Sequence, residues 1–166
     1  MKARIVSLAG IACAATALSL AAPAIAAQGA APAATGTEHF QIVSTSATSR
    51  AAHVIAYGVF TAPAVDHTGA NVDTFVFRNG SFKVRHRNGT GGKQSFNRKT
   101  CLLKVSQPGT YRIFGGTGKF AGIKGHGKFV FRLLAIGARN SMGKCTQAKP
   151  PIASQQIIRA SGPVTT

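Results

Sequence analysis

Acidic residues are nearly absent from this chain. Its 166 residues include 20 lysines and arginines but only three acidic residues, Glu38, Asp66 and Asp73. These three are not close to one another in sequence, so catalysis by paired carboxylates has few candidate residues. A calcium or magnesium site built from carboxylate oxygens is not expected for the same reason. The excess of positive charge is expected to attract anions and anionic surfaces from a distance.

Long apolar runs are also absent after the first residues. Lys2 and Arg4 precede an apolar run over residues 5–20, and the segment ending at Ala26 fits the small-x-small cleavage rule. Residues 1–26 are therefore predicted to be a signal peptide, and a single N-terminal membrane anchor is the alternative. Removal of this segment leaves 18 basic residues against three acidic ones, a net charge of +15.

The rest of the chain is long enough for one secreted domain. Residues 27–37 are small, uncharged and rich in alanine, and they are predicted to form a flexible leader. Residues 38–166 are predicted to form a single domain with its own core. No further transmembrane segment is predicted.

Cysteine is scarce, and no Cys-x-x-Cys motif is present. Cys13 lies within the predicted signal peptide, which leaves Cys101 and Cys145. Two cysteines in an exported domain most often pair, so a Cys101–Cys145 disulfide is predicted. Metal ligation and a catalytic thiol are the alternatives, but neither has the companion residues that it needs, and no metal or cofactor is predicted.

Helical periodicity is missing, and short strand-like segments recur throughout. Residues 52–62 form a predicted strand that ends before Pro63, and Asn79-Gly80 is predicted to be the type I′ turn of a hairpin. A second hairpin is predicted to turn at residues 107–110, and long strands are predicted from Lys124 and from Ser154. This pattern predicts an all-β sandwich or barrel.

Alternation along these strands predicts which side chains point inward. Phe82, Val84 and His86 share one face of their strand, and the opposite face carries Lys83, Arg85 and Arg87. Lys128 and Arg132 likewise lie opposite a row of apolar residues. These five basic residues are the candidates for binding anions, although a solvated strand face explains their positions equally well.

The stretch "FGGTGKFAGIKGHGKF", residues 114–129, holds six glycines. Its "GTGKFA" segment matches the Gly-x-Gly-x-x-Gly/Ala pattern of dinucleotide-binding proteins. That motif requires a helix that begins within it and an acidic residue about 20 positions later. The following residues are strand-like and no acid follows Asp73, so a nucleotide site is not expected. The glycines are instead interpreted as positions where a sheet bends or turns.

The segment "YRIFGGTGKFAGIKGHGKFVF" resembles the signature hairpin of the allene oxide cyclase/dirigent superfamily. The resemblance covers about twenty residues, and elsewhere it extends to strand pattern and length. It implies an eight-stranded antiparallel barrel of allene oxide cyclase/dirigent type with a largely apolar cavity, often assembled as a homotrimer. Cyclases of that superfamily use a glutamate in the pocket, and none of the three acids here can be matched to it.

The candidate ligand-binding residues follow from the alternation and from the chemistry of the side chains. His86 and Phe82 lie on the predicted inner face, Tyr57 offers a hydroxyl, and Asp73 lies near the start of a strand. Tyr111 offers a second hydroxyl, for which packing is the expected role. Packing or solvation is the simpler role for each. The histidines lack a His-x-x-x-His pair, and no Gly-x-Ser-x-Gly motif is present.

Three functions fit these observations. The first is binding of a small apolar or aromatic ligand inside the barrel. The second is adhesion of the basic exterior to a polyanion such as a cell-wall polymer, anionic lipid or extracellular DNA, without sequence-specific reading of nucleic acid. The third is a cyclase, isomerase or dirigent-like activity in the cavity.

Overall fold

The structure, a computed structural model, describes residues 33–46, 49–146 and 148–166. The predicted signal peptide and residues 27–32 of the predicted leader lie outside these ranges. Nine strands are present, together with one 3₁₀ turn at Gly118–Phe120 and no α-helix within the described ranges. The strands are β1 (Thr35–Ser44), β2 (Ala51–Tyr57), β3 (Ala62–His67), β4 (Val72–Phe77), β5 (Gly80–Asn88), β6 (Lys93–Asn97), β7 (Leu102–Phe114), β8 (Lys124–Ile136) and β9 (Ala153–Thr165).

Eight of these strands close into an antiparallel barrel. They follow one another in the order β5-β4-β3-β2-β1-β9-β8-β7, and β7 pairs with β5 to close the ring. The predicted all-β, eight-stranded antiparallel barrel is therefore confirmed. Strand β6 stands outside the ring and pairs with the first half of β7, beyond the end of β5. The assignment to the allene oxide cyclase/dirigent type stays a prediction.

The predicted alternation holds in β5 and β8. Phe82 and Val84 are buried and His86 is half-buried, whereas Lys83, Arg85 and Arg87 are exposed. In β8, Lys128 and Arg132 are exposed on the side opposite the buried Phe129. The period of two along a strand is enough to separate a barrel interior from its exterior.

The strand predicted over residues 52–62 is confirmed as far as Tyr57, but its predicted end is wrong, because the chain turns between β2 and β3. Strand β2 ends at Tyr57, and β3 begins at Ala62 and contains Pro63. Proline is tolerated here because Pro63 precedes the first residue pair between β3 and β4, Ala64 with Phe77. Asp66, interpreted from the sequence as a loop residue, therefore lies in a strand.

The predicted turn at residues 107–110 is also wrong, because β7 passes through it without interruption. The edge of β7 is shared by two strands: β6 pairs as far as Ser106, and β5 pairs from Gly109. Pro108 lies between them, and its carbonyl accepts a 2.8 Å hydrogen bond from Gly89. In an extended strand the nitrogen and the carbonyl of a residue point to the same edge. The missing N–H of Pro108 therefore lies where the partner of β7 changes from β6 to β5.

Two further boundaries differ by a few residues. The hairpin at Asn79-Gly80 is confirmed, but its two turn residues are Arg78 and Asn79, and Gly80 is the first residue of β5 with φ of 148°. Strand β1 begins at Thr35, inside the predicted leader, because Thr35–Thr37 pair with the last residues of β9.

The glycine-rich stretch closes one end of the barrel. It leaves β7 at Phe114, forms the 3₁₀ turn and re-enters the sheet at Lys124, as its interpretation as a turn between two strands predicts. Thr117 fastens it to the neighbouring hairpin, since its N–H donates to the Ser81 carbonyl and its Oγ1 accepts from the Ser81 N–H. Gly118 has φ of 57° at this crossing, a conformation that favours glycine.

Phe120 from this turn packs into the closed end. Its ring centroid lies 4.6 Å from that of Phe77, 5.1 Å from Phe60 and 5.5 Å from Phe82. Such aromatic contacts add to the free energy gained by burying the rings. We call these four residues, Phe60, Phe77, Phe82 and Phe120, the phenylalanine plug.

The predicted disulfide is present between Cys101 and Cys145, whose Cα atoms are 5.4 Å apart. It joins the residue before β7 to the segment that connects β8 and β9. No helix in the described part of the chain is long and apolar enough to cross a membrane.

Candidate functional site

The end of the barrel opposite the phenylalanine plug contains a cavity of about 310 Å³. Its wall is mostly apolar and carries the aromatic rings of Phe40, Phe75, Tyr111, Phe129 and Phe131. Its rim is formed by polar residues at strand ends and in the adjoining loops, namely Ser44, Ser49, Thr68, Asn88 and Gln156. An apolar pocket with a few polar groups is the usual form of a small-molecule site.

All three acidic residues of the chain lie inside the barrel. Glu38 is 0 % exposed, Asp66 is 3 % exposed and Asp73 is 8 % exposed. In contrast, every lysine and arginine in the described ranges is exposed. The barrel therefore separates its charges, with carboxylates inside and cations outside.

The β3–β4 hairpin brings two of these acids to the open end of the cavity. Asp66 follows the buried Ala64 on the inner face of β3, and Asp73 precedes the buried Phe75 on the inner face of β4. The hairpin connection is only four residues long, so the two carboxyl groups lie on adjacent strands near its tip. Both line the cavity.

Asp73 is held by two contacts. Its Oδ1 accepts a 2.9 Å hydrogen bond from the Gly69 N–H, and its Oδ2 lies 3.4 Å from Nε2 of His86. The second distance is within ion-pairing range, but Nε2 is not oriented for a regular hydrogen bond. The contact with Asp73 raises the pKa of His86 above its usual value, and burial opposes that rise.

Asp66 has the most unusual environment of the three acids. Burial, together with the nearby charge of Asp73, raises its pKa to about 7. Its Oδ1 is buried and has no hydrogen-bond partner. A carboxyl group with this pKa can accept or donate a proton at neutral pH, which is the property required of a general acid or base.

Tyr111 and Glu38 lie deeper in the barrel. The Tyr111 hydroxyl is buried without a partner, and burial and then the charge of Glu38 raise its pKa to about 12. Glu38 accepts a 3.1 Å hydrogen bond from the N–H of Phe60, a member of the phenylalanine plug, and it does not line the cavity. Burial raises the pKa of Glu38 as well.

The four residues predicted to contact a ligand fall in three places. His86 and Asp73 line the cavity together. Phe82 points inward but belongs to the phenylalanine plug. The placement of Tyr57 in the cavity is wrong: it is 48 % exposed on the outer face and stacks on His39, because the inward positions of β2 are Val54 and Ala56.

Asp66 and Tyr111 also line the cavity. Packing is the role that the sequence predicts for Tyr111, and Asp66 is not among the predicted site residues. Asp66 was hidden because its strand was interpreted as a loop. The spacing in "DHTGANVD" was the available signal, since two acids at the two ends of a short polar turn approach each other when the turn joins antiparallel strands.

The basic residues predicted to bind anions all lie on the outer surface. Lys83, Arg85 and Arg87 form a row along β5, and Lys128 and Arg132 lie on β8. Arg85 stands directly opposite Arg112 of β7, and its guanidinium lies 5.2 Å from the ring centroid of Phe114. Like charges in opposite positions of a sheet are unfavourable, so the pairing of Arg85 with Arg112 does not serve stability.

A second, more polar depression lies on the barrel beside the cavity. It is lined by Ala70, Asn71 and residues 85–88, and it shares His86 and Asn88 with the cavity. Arg85 and Arg87 therefore flank a groove next to the cavity. Within the described residues, no group of three or more His, Cys, Asp or Glu side chains is arranged to hold a metal ion.

Comparison of the chain with protein-family models, with curated proteins and with solved structures gave no significant match.

Proposed function

We propose that this protein is a secreted barrel that binds a small ligand with an apolar or aromatic body in the cavity at its open end. The observation that supports this most strongly is the 310 Å³ cavity, whose wall carries five aromatic rings. Its volume lies at the lower limit of ordinary small-molecule pockets. The disulfide is compatible with export, where an oxidising environment maintains such bonds.

The two ends of the barrel support the position of this site. The phenylalanine plug fills one end with side chains, so a ligand has no space there. The other end combines apolar walls with Asp66, Asp73 and His86, groups that can fix the orientation of a ligand. Cyclase or isomerase activity, for which Asp66 has a suitable pKa, stays a prediction.

An uncharged aromatic fluorophore, N-phenyl-1-naphthylamine, tests the proposal. Native mass spectrometry first establishes whether a molecule copurifies with the protein. The fluorescence of the probe should rise on binding to the emptied barrel and should be lost in Ala160→Leu, because Ala160 lines the cavity and a larger side chain fills it. Ala153→Leu, a change at an exposed position of the same strand, is the matched control. Equal binding by both variants would contradict the proposal.

A second function, adhesion to a polyanion, is favoured by the separation of charges. All three acidic side chains are buried, and the lysines and arginines of the described ranges are exposed. No acidic side chain therefore lies on the outer surface to neutralise them. Unpaired like charges such as Arg85 and Arg112 are the expected feature of a surface that meets an anionic partner.

Salt dependence and a charge-matched control test this second function. Affinity for a random-sequence DNA duplex, used as a model polyanion, should fall steeply with salt. Replacing Lys83, Arg85 and Arg87 by glutamine should weaken binding and reduce the salt slope. The control replaces Arg50, Lys99 and Lys144, three exposed residues outside this row, by glutamine. Equal losses in the two triple variants would show that only net charge matters and would remove the role of the β5 row.

A further inference from the structure

We propose that the ligand carries a protonated amine or another organic cation, which binds between Asp66 and the aromatic wall of the cavity. This inference rests on the proposed function, because it assigns the charge of the molecule that occupies the same cavity. The proposed cation site lies at the open end of the barrel, where Asp66 and Asp73 line the cavity.

The first argument is the balance of charge inside the cavity. The titratable groups that line it are Asp66 from β3, Asp73 from β4, His86 from β5 and Tyr111 from β7. The lining residues from β1, β8 and β9 are apolar or uncharged, including Phe40, Phe129 and Gln156. When His86 is protonated, its contact with Asp73 is the closer one, and it acts on Asp66 without a direct contact. One imidazolium therefore faces two carboxylates, and one negative charge stays uncompensated.

The second argument is the supply of hydrogen bonds. Asp73 receives the Gly69 N–H on one oxygen and faces His86 with the other. Asp66 interacts with the Thr68 side chain, but its Oδ1 is buried and has no donor. An unsatisfied buried carboxylate oxygen is costly, and an ammonium group supplies both the missing donor and the missing charge.

The third argument is the wall of the cavity. Aromatic faces attract cations, and this attraction strengthens when the cation is removed from water. Phe40, Phe75, Phe129 and Phe131 surround the space next to the two carboxyl groups. A cavity with aromatic walls and one uncompensated carboxylate favours a cation over an anion of the same shape.

The exterior charge does not reverse this preference. The lysines and arginines are exposed to solvent, where salt screens their charge over about 8 Å at physiological ionic strength. The buried carboxylates act at contact distance and are screened much less. An anionic ligand would have to leave its charged group outside, in the groove beside Arg85 and Arg87.

Three ligands that share a phenyl ring but differ in charge, one cationic, one neutral and one anionic, test the inference. Benzylamine, benzyl alcohol and benzoate are titrated calorimetrically into the wild-type protein at pH 8, where the amine carries its proton. The amine should bind about tenfold more tightly than the alcohol, because a hydrogen bond to a charged group is about twice as strong as a neutral one. Benzoate should bind most weakly.

Variants of the buried acids separate local charge from net charge. In Asp66→Asn, affinity for the amine should fall to that for the alcohol, and affinity for the alcohol should change less than about twofold. Glu38→Gln is the matched control, since it removes a buried carboxyl group that does not line the cavity. It should leave the preference for the amine unchanged. Asp73→Asn provides a second reduction of the negative charge if Asp66→Asn does not fold.

The acidity of the solution gives an independent readout. Affinity for the amine should decrease as the pH falls from 8 to 5.5 and Asp66 takes up a proton, whereas affinity for the alcohol should stay constant.

The outcomes distinguish this inference from the proposed function. Equal affinity for amine and alcohol in the wild-type protein would overturn the inference that the ligand is a cation. It would not contradict ligand binding in the cavity. Tighter binding of benzoate would also overturn it and would indicate an anion held at the Arg85/Arg87 groove. Failure of all three ligands and of the uncharged fluorophore to bind would overturn both.

Discussion

The two ends of the barrel differ in what fills them, although the same strands build both. Strand β5 places Phe82 in the phenylalanine plug at one end and His86 in the cavity at the other. The closed end contains aromatic rings and the glycine-rich turn, and the open end contains Asp66, Asp73 and a cavity. Stability is therefore expected to depend on packing at the closed end and on protonation at the open end.

This difference explains how the barrel accommodates buried carboxyl groups. A buried charge without a partner is strongly unfavourable, and it persists where the rest of the fold supplies enough stability. The phenylalanine plug supplies packing at the opposite end, and the cavity keeps Asp66 in contact with a space that a ligand can enter. Sites of this kind are typical of function rather than of stability.

The largest expected effect is at the closed end. Phe120→Ala should lower the free energy of unfolding by about 3–4 kcal/mol, because it removes a buried ring from the phenylalanine plug. Urea unfolding with the disulfide intact measures this. Phe96→Ala is the control, because Phe96 is 40 % exposed on β6, and it should cost less than about 1 kcal/mol. Similar losses for the two variants would mean that the plug does not carry the stability.

An intermediate effect is expected at the open end, and it depends on pH. Asp66 has a folded-state pKa of about 7, above its usual value of 3.8, so the folded protein holds this proton more tightly than the unfolded chain. The resulting stabilisation is complete below pH 4 and is lost as the pH rises to 7. The difference between the two pKa values corresponds to at most about 4 kcal/mol, and the position of Asp66 on an open cavity reduces this value. Asp66→Asn should therefore be more stable than wild type by roughly 2–3 kcal/mol at pH 9 and nearly equal to it near pH 4.

Urea unfolding of the two proteins from pH 4 to pH 9 checks this pH dependence. Arg159→Gln, a change on the outer face, is the control, and its stability difference from wild type should not vary over this range. A stability difference between Asp66→Asn and wild type that stays constant with pH would contradict the raised pKa.

The smallest expected effect concerns the exterior, which belongs to neither end. Arg112→Gln should raise the free energy of unfolding by a few tenths of a kcal/mol at low salt, because Arg112 faces Arg85 and His126. The gain should vanish at high salt. Arg159→Gln is the control, since the neighbours of Arg159 are Gln41 and Val130, and it should show no comparable gain. A loss of stability in Arg112→Gln would refute this interpretation.

Much of the fold could be predicted from the sequence because strand alternation is a local property. The period of two identified Phe82, Val84 and His86 as inward residues, and the two cysteines outside the predicted signal peptide predicted the disulfide. The continuity of β7 through Pro108 could not be predicted. It depends on the changeover of β6 and β5 along one edge, which is a long-range feature of the closed barrel.

The candidate site was predicted only in part. His86 and Asp73 were identified as candidate site residues. The proximity of Asp73 to Asp66 was not predicted, because it depends on the β3–β4 hairpin and the sequence pattern indicated a loop at Asp66. The raised pKa of Asp66 depends on burial, which arises only when the ring of strands closes. The allene oxide cyclase/dirigent resemblance and its implied trimer stay predictions.

Chemical-shift mapping tests the division between the two ends most directly. The ¹⁵N-labelled protein is saturated with N-phenyl-1-naphthylamine, and the amide shift changes are assigned along the chain. We predict large changes at Asp66, His86 and Phe131, which line the cavity, and little change at Phe77 and Phe120 in the phenylalanine plug. Changes centred on the plug or on the outer face would contradict the account.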